Sequence, residues 1–103
     1  MIYELRVYTC YPGKMELVLD MWKKEGKAML EPYFKMVGQW TGTSGVCNQI
    51  YTLWEFRDLN HREEARNALM QHPGFADYLA RCRNYYSRQE TTFLSPTALS
   101  PIK

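Results

Sequence analysis

Apolar residues along this chain recur with a period of two, then of about 3.6, then of two again, in the order β-α-β-β-α-α-β. Few folds accept that order in one domain of 103 residues. Met1 to Cys10 reads as the first strand, with Tyr3, Leu5, Val7 and Thr9 on one face and Ile2, Glu4, Arg6 and Tyr8 on the other. The odd face is apolar enough to receive a helix, whereas the even face mixes Glu, Arg and Tyr and must meet water or line something polar. Tyr11-Pro12-Gly13 turns the chain. From Lys14 to about Leu30, Met15, Val18, Leu19, Trp22 and Met29 form an amphipathic helical stripe closed by Pro32. Gly26 interrupts it at a cost of about 1 kcal/mol relative to Ala, so the helix frays there or a neighbour needs close approach.

Phe34 to Trp40 and Cys47 to Phe56 read as a hairpin around the Thr41–Gly45 connection. Both faces of the second of these strands are mixed, as in a central strand, and periodicity does not say which one meets the helices. Asn60 and Glu63 resemble a capping box ahead of a helix carrying Ala65, Ala68 and Leu69, and His72-Pro73 ends that helix. Pro73 starts another, striped by Phe75, Tyr78, Leu79 and Cys82. Tyr85 to Leu94 is the last strand, with the polar centre of an edge, and residues 95–103 form an extended C-terminal tail. The order gives an α+β, ferredoxin-like core over residues 1–94, with a four-stranded antiparallel sheet and helices on one face. The other face, expected to hold Ile2, Tyr8, Trp40 or Trp54 among Glu and Arg, is too apolar for water, so a second copy should cover it.

Several function classes are excluded by composition. Fifteen aromatics and a 46% apolar content argue for a packed core and against disorder. A net charge of +2, with scattered Lys and Arg, gives no footprint for nucleic acid. The longest apolar run is about three residues, far short of the ~20 that span a bilayer, so no membrane insertion is expected. Three cysteines, Cys10, Cys47 and Cys82, are an odd number and suit reduced thiols in a cytoplasm.

The run YELRVYTCYPGK at Tyr3 to Lys14, the stretch GQWTGTSGVCNQIYTLWEFRDLNHR from Gly38 to Arg62 and the ending FLSPTALSP from Phe93 to Pro101 together resemble the NIPSNAP family. The resemblance covers essentially the whole chain and implies a single NIPSNAP-like domain, 1–103, that pairs as a homodimer into a dimeric α+β barrel. Animal members of that family are associated with mitochondria and with scaffolding or signalling there. This chain begins at its own first strand, which favours a cytoplasmic, bacterial-type member. The wider dimeric-barrel superfamily includes heme-degrading and cofactor-independent monooxygenases, an analogy at the level of fold.

Five residues are candidates for ligand binding: Glu4, Arg6, Tyr8, Asn48 and Trp54. Arg6, between Glu4 and Tyr8 on one strand face, offers a planar fork of donors to a carboxylate or phosphate, or else pairs with Glu4 or a partner subunit. Asn48 and Trp54 share a strand face and a stretch of the resemblance. Together they would orient an aromatic molecule, or else Trp54 is core and Asn48 ends the hairpin. His61 and His72 lie eleven residues apart without metal-ligand spacing, so no metal or cofactor is expected. Two function classes follow: a small anionic or aromatic molecule bound in the barrel cavity, or a non-enzymatic homodimeric interaction module. A cofactor-independent or heme-related monooxygenase stands beside them by superfamily analogy alone.

Overall fold

A computed structural model describes all residues, 1–103, and has the predicted element order. Strand β1 (Ile2–Cys10) leads into a helical stretch made of α1 (Met15–Met21), a π-helical turn (Trp22–Gly26) and α2 (Lys27–Leu30). Then come β2 (Lys35–Thr41), β3 (Gln49–Phe56), α3 (Leu59–Met70), α4 (Phe75–Arg83) and β4 (Tyr86–Leu94). The sheet is antiparallel in the order β2-β3-β1-β4, which is the ferredoxin-like arrangement, and β4 is an exposed edge as expected. Beyond it, the Tyr3 hydroxyl donates to the Lys103 carbonyl at 2.9 Å, tying the end of the chain to β1.

The face of β1 that meets the helices is the reverse of the expectation, while Trp40 lies on the uncovered face as expected. On β3, Ile50, Thr52, Trp54 and Phe56 are buried under the helices. Antiparallel register sets Phe56 opposite Ile2, Trp54 opposite Glu4, Thr52 opposite Arg6 and Ile50 opposite Tyr8. Opposed residues share a face, so the bulky rings of β3 choose it and carry the polar residues of β1 inward. Glu4, Arg6 and Tyr8 therefore lie between sheet and helices, and a ligand touching them would not sit between two sheets. The other face carries Leu5 and Val7 of β1, Tyr51 and Leu53 of β3, and Trp40 of β2, together with Tyr3, which is buried there with its hydroxyl on the Lys103 carbonyl.

The core is aromatic. Phe34 packs edge-on against Trp54 and Phe56 at centroid distances of 5.4 and 5.1 Å, and Leu69, Phe75 and Tyr78 close over them from α3 and α4. A second cluster joins Cys10 and Ile50 of the sheet to Val18 of α1. The break at Gly26 is a close approach: a Cβ there would collide with the Tyr78 ring and hydroxyl from α4. The same crossing is held by Arg81, which donates to both carboxylate oxygens of Glu25 at 2.8 and 2.6 Å. Helix α3 starts two residues earlier than the capping pattern suggested. Its cap is Asp58, whose carboxylate accepts from the His61 backbone N–H at 2.7 Å, while His61 Nδ1 accepts from the Arg57 N–H. Helix α4 begins after Gly74, which takes the left-handed conformation at φ 86°.

Candidate functional site

Between the sheet and the helices lies a cavity of ≈ 140 Å³. A dry apolar cavity of about 150 Å³ accepts a benzene ring. Ile50, Thr52 and Trp54 of β3 and Tyr8 of β1 line it from the sheet, and Trp22, Leu69, Phe75 and Tyr78 from the helices. Three arginines also line it: Arg6 from β1, Arg66 from α3 and Arg83 from the last turn of α4. Arg66 and Arg83 take part in none of the ion pairs. A second hollow of ≈ 280 Å³ shares the Trp22, Phe34 and Trp54 wall, but its lysines, Lys27 and Lys35, are paired with Glu31 and Glu55.

Of the five sequence candidates, Arg6, Tyr8 and Trp54 line the cavity, and Glu4 and Asn48 do not. Trp54 is also core, T-shaped to Trp22 at 5.9 Å. Asn48 stands at the hairpin end with φ 62°, a conformation Asn tolerates better than most residues, and its carbonyl accepts from the Cys10 N–H at 2.8 Å. Glu4 is wholly buried. Arg62 of α3 chelates it, Nε donating to Oε1 at 3.2 Å and Nη2 to Oε2 at 3.1 Å. Arg6 Nη1 reaches the same Oε2 at 3.4 Å, a long bond, and Arg6 Nε is buried with no partner.

Arg62 and Arg66 were not among the sequence candidates, although a signal for them was present. Residues 62, 65, 66 and 69 fall at i, i+3, i+4 and i+7 with Ala65 and Leu69, so both arginines share the buried stripe of α3.

Burial raises the Tyr8 phenol, and it drives Tyr78 and Tyr86 far above the ordinary tyrosine range. All three are therefore neutral hydrogen-bonding groups near pH 7. Tyr8 and Tyr86 stack at 4.6 Å. Burial also raises the Cys82 thiol, which lines the cavity as a small, protonated, weakly polar group. Neither histidine lines the cavity: His61 Nδ1 accepts from the Arg57 N–H at the start of α3, and His72 Nδ1 meets the Tyr33 hydroxyl at 3.0 Å. The arrangement presents positive charge and donors above an aromatic, apolar wall.

The NIPSNAP family model matches residues 3–101. NipSnap homolog 2 of Danio rerio is 29% identical over 102 residues, and NipSnap homolog 3B of Mus musculus 28% over 103. Each alignment covers 99% of this chain but only 35% and 42% of those relatives, so the chain spans less than half of their length. A NIPSNAP domain protein from Burkholderia xenovorans superposes with a TM-score of 0.93 at 32% identity, over 98% of this chain and 99% of that one. A NIPSNAP family protein from Agrobacterium tumefaciens superposes with a TM-score of 0.95 at 27% identity, over 99% and 98%. An antibiotic biosynthesis monooxygenase shares the fold alone, with a TM-score of 0.69 at 11% identity over 94% of this chain and 99% of that one. The chain belongs to the NIPSNAP family.

Proposed function

We propose that this chain binds a small organic anion with an aromatic or compact apolar body in the cavity between its sheet and its helices, and does so as a homodimer. One observation carries this: an apolar, ring-sized cavity is lined by three arginines, two without a carboxylate partner and the third with a buried, unpaired Nε. A buried donor without an acceptor costs about 1–3 kcal/mol, and an incoming carboxylate relieves that cost. Trp22, Phe34 and Trp54 supply edges and faces for the ligand's body. No imidazole or unprotonated thiol lines the space, so binding is the activity supported here rather than a named reaction. The monooxygenase likeness is one of fold and brings no substrate with it.

A second reading rests on a separate observation. The open sheet face, centred on Leu5, Val7 and Leu53 with Trp40 55% exposed, is the natural pairing surface of an interaction module. The pairing belongs to both readings, and only ligand binding separates them. The free thiols suit a reducing compartment, in keeping with a cytoplasmic location.

The test is thermal unfolding with millimolar benzoate or its neutral isostere benzamide, on the wild type and on Arg6→Met. Benzoate should raise the melting temperature of the wild type more than benzamide does, and Arg6→Met should shrink the difference, with Arg66 and Arg83 holding what remains. If benzoate stabilises no better than benzamide, the anion-binding reading is lost and the interaction module remains.

A further inference from the structure

Resting on that reading of the cavity, we infer that Arg62 is a positioning residue that never meets the ligand: by neutralising the buried Glu4, it leaves the charge of Arg6 free for an incoming carboxylate. Glu4 is one carboxylate between two guanidiniums, with side-chain exposures of 0% for Glu4, 17% for Arg6 and 16% for Arg62. The two contacts are unequal. Arg62 holds both carboxylate oxygens at 3.2 and 3.1 Å in the two-pronged geometry that makes such pairs strong, whereas Arg6 holds one of them at 3.4 Å. The next carboxylate, Glu63, meets Arg62 at 3.8 Å and is 65% exposed, so it neutralises little inside the fold. One positive charge is left over among these three groups, and it falls on the residue that lines the cavity.

The aromatic neighbours divide the two arginines in the same way. The Arg62 guanidinium lies over the Phe93 ring of β4 at 5.4 Å, while that of Arg6 lies over the cavity-lining Tyr8 ring at 5.3 Å. Arg62 is thus turned toward the sheet edge and Arg6 toward the cavity. Without Arg62, Glu4 would have Arg6 as its only cation and would draw it away from the cavity to close a simple pair. The cavity would then keep its shape and lose the part of its anion preference that Arg6 supplies, Arg66 and Arg83 remaining.

The experiment measures benzoate and benzamide affinity by calorimetry on the wild type, Arg62→Met and the double variant Glu4→Gln/Arg62→Met. In Arg62→Met, benzoate should weaken by ~10-fold or more, the worth of a charged hydrogen bond, with benzamide little changed. In the double variant no carboxylate is left to capture Arg6, and benzoate affinity should return to within ~3-fold of the wild type. Should Arg62→Met fail to fold, Arg62→Lys takes its place. Its point charge grips Glu4 less firmly, so it should show part of the same selective loss. Equal weakening of both probes, or no recovery in the double variant, would make Arg62 a merely structural residue and overturn the inference while leaving anion binding intact. A wild type that fails to prefer benzoate removes the cavity reading itself, and the role of Arg62 falls with it.

Discussion

Glu4 is the most deeply buried charge in the chain, and its surroundings show how far residue-level reading of a sequence reaches. The alternation in Ile2–Cys10 is enough to group Glu4, Arg6 and Tyr8, and a pairing of Arg6 with Glu4 was one of two readings open for them. The dominant partner, Arg62, lies 58 residues away on another element and is brought in only by packing of α3 on the sheet. Asn48 was separable from the site only through its backbone, because its left-handed conformation at the end of the hairpin has no signature in strand periodicity. The geometry ranks two substitutions. Arg62→Met removes two hydrogen bonds from a buried carboxylate and should cost ~2–4 kcal/mol, short of the ~3–5 kcal/mol of a fully stranded charge because Arg6 remains. Arg6→Met removes one long bond and an unsatisfied Nε, so it should cost less than ~1.5 kcal/mol. Urea unfolding of both variants checks the ranking. The reverse order would make Arg6 the principal partner of Glu4.

At the scale of elements, order and type were legible because each stripe in the sequence runs long enough to show its period. Face was not, because β1 and β3 each carry apolar and polar residues on both sides and only their mutual register decides. The helix start at Asp58 was hidden by a competing pattern: Asn60 and Glu63 imitate a capping box inside the first turn of α3. Gly26 was legible as an anomaly and is explained by packing. In a free helix Gly→Ala gains about 1 kcal/mol, but here the added methyl meets the Tyr78 ring across the π-helical turn. Gly26→Ala should therefore destabilise, by ~1–3 kcal/mol of overpacking. Tyr78→Phe, which removes the hydroxyl nearest that position, should return part of the loss when combined with it. A neutral or stabilising Gly26→Ala in urea unfolding would mean that α4 does not press on this turn.

The whole molecule is a slab with principal extents of 40 × 36 × 19 Å, the thickness of one helix layer on one sheet. The sequence led to the expectation of a covering partner, placed on the face of β1 that the helices in fact cover. The face actually open is the better candidate, since its charges lie toward the margin while Leu5, Val7, Tyr51 and Leu53 occupy the two central strands. Trp40 lies over Gly38 on the same face, where a side chain would displace it, and so forms a ready platform for an opposing surface. Two such sheets packed face to face would sit about 10 Å apart and bury more than ~1,200 Å² in total, enough for a stable pair. At micromolar concentration the 12.2 kDa chain should therefore sediment at twice its mass. Leu53→Asp places a carboxylate at the middle of that surface without touching the helix-facing core, so it should yield a monomer with an unchanged far-UV dichroism spectrum. A monomeric wild type, or a Leu53→Asp variant that stays dimeric, would show that this face is not the pairing surface. An unfolded variant would show that Leu53 supports the subunit itself rather than its pairing, and Val7→Asp, on the neighbouring central strand, would then carry the same test.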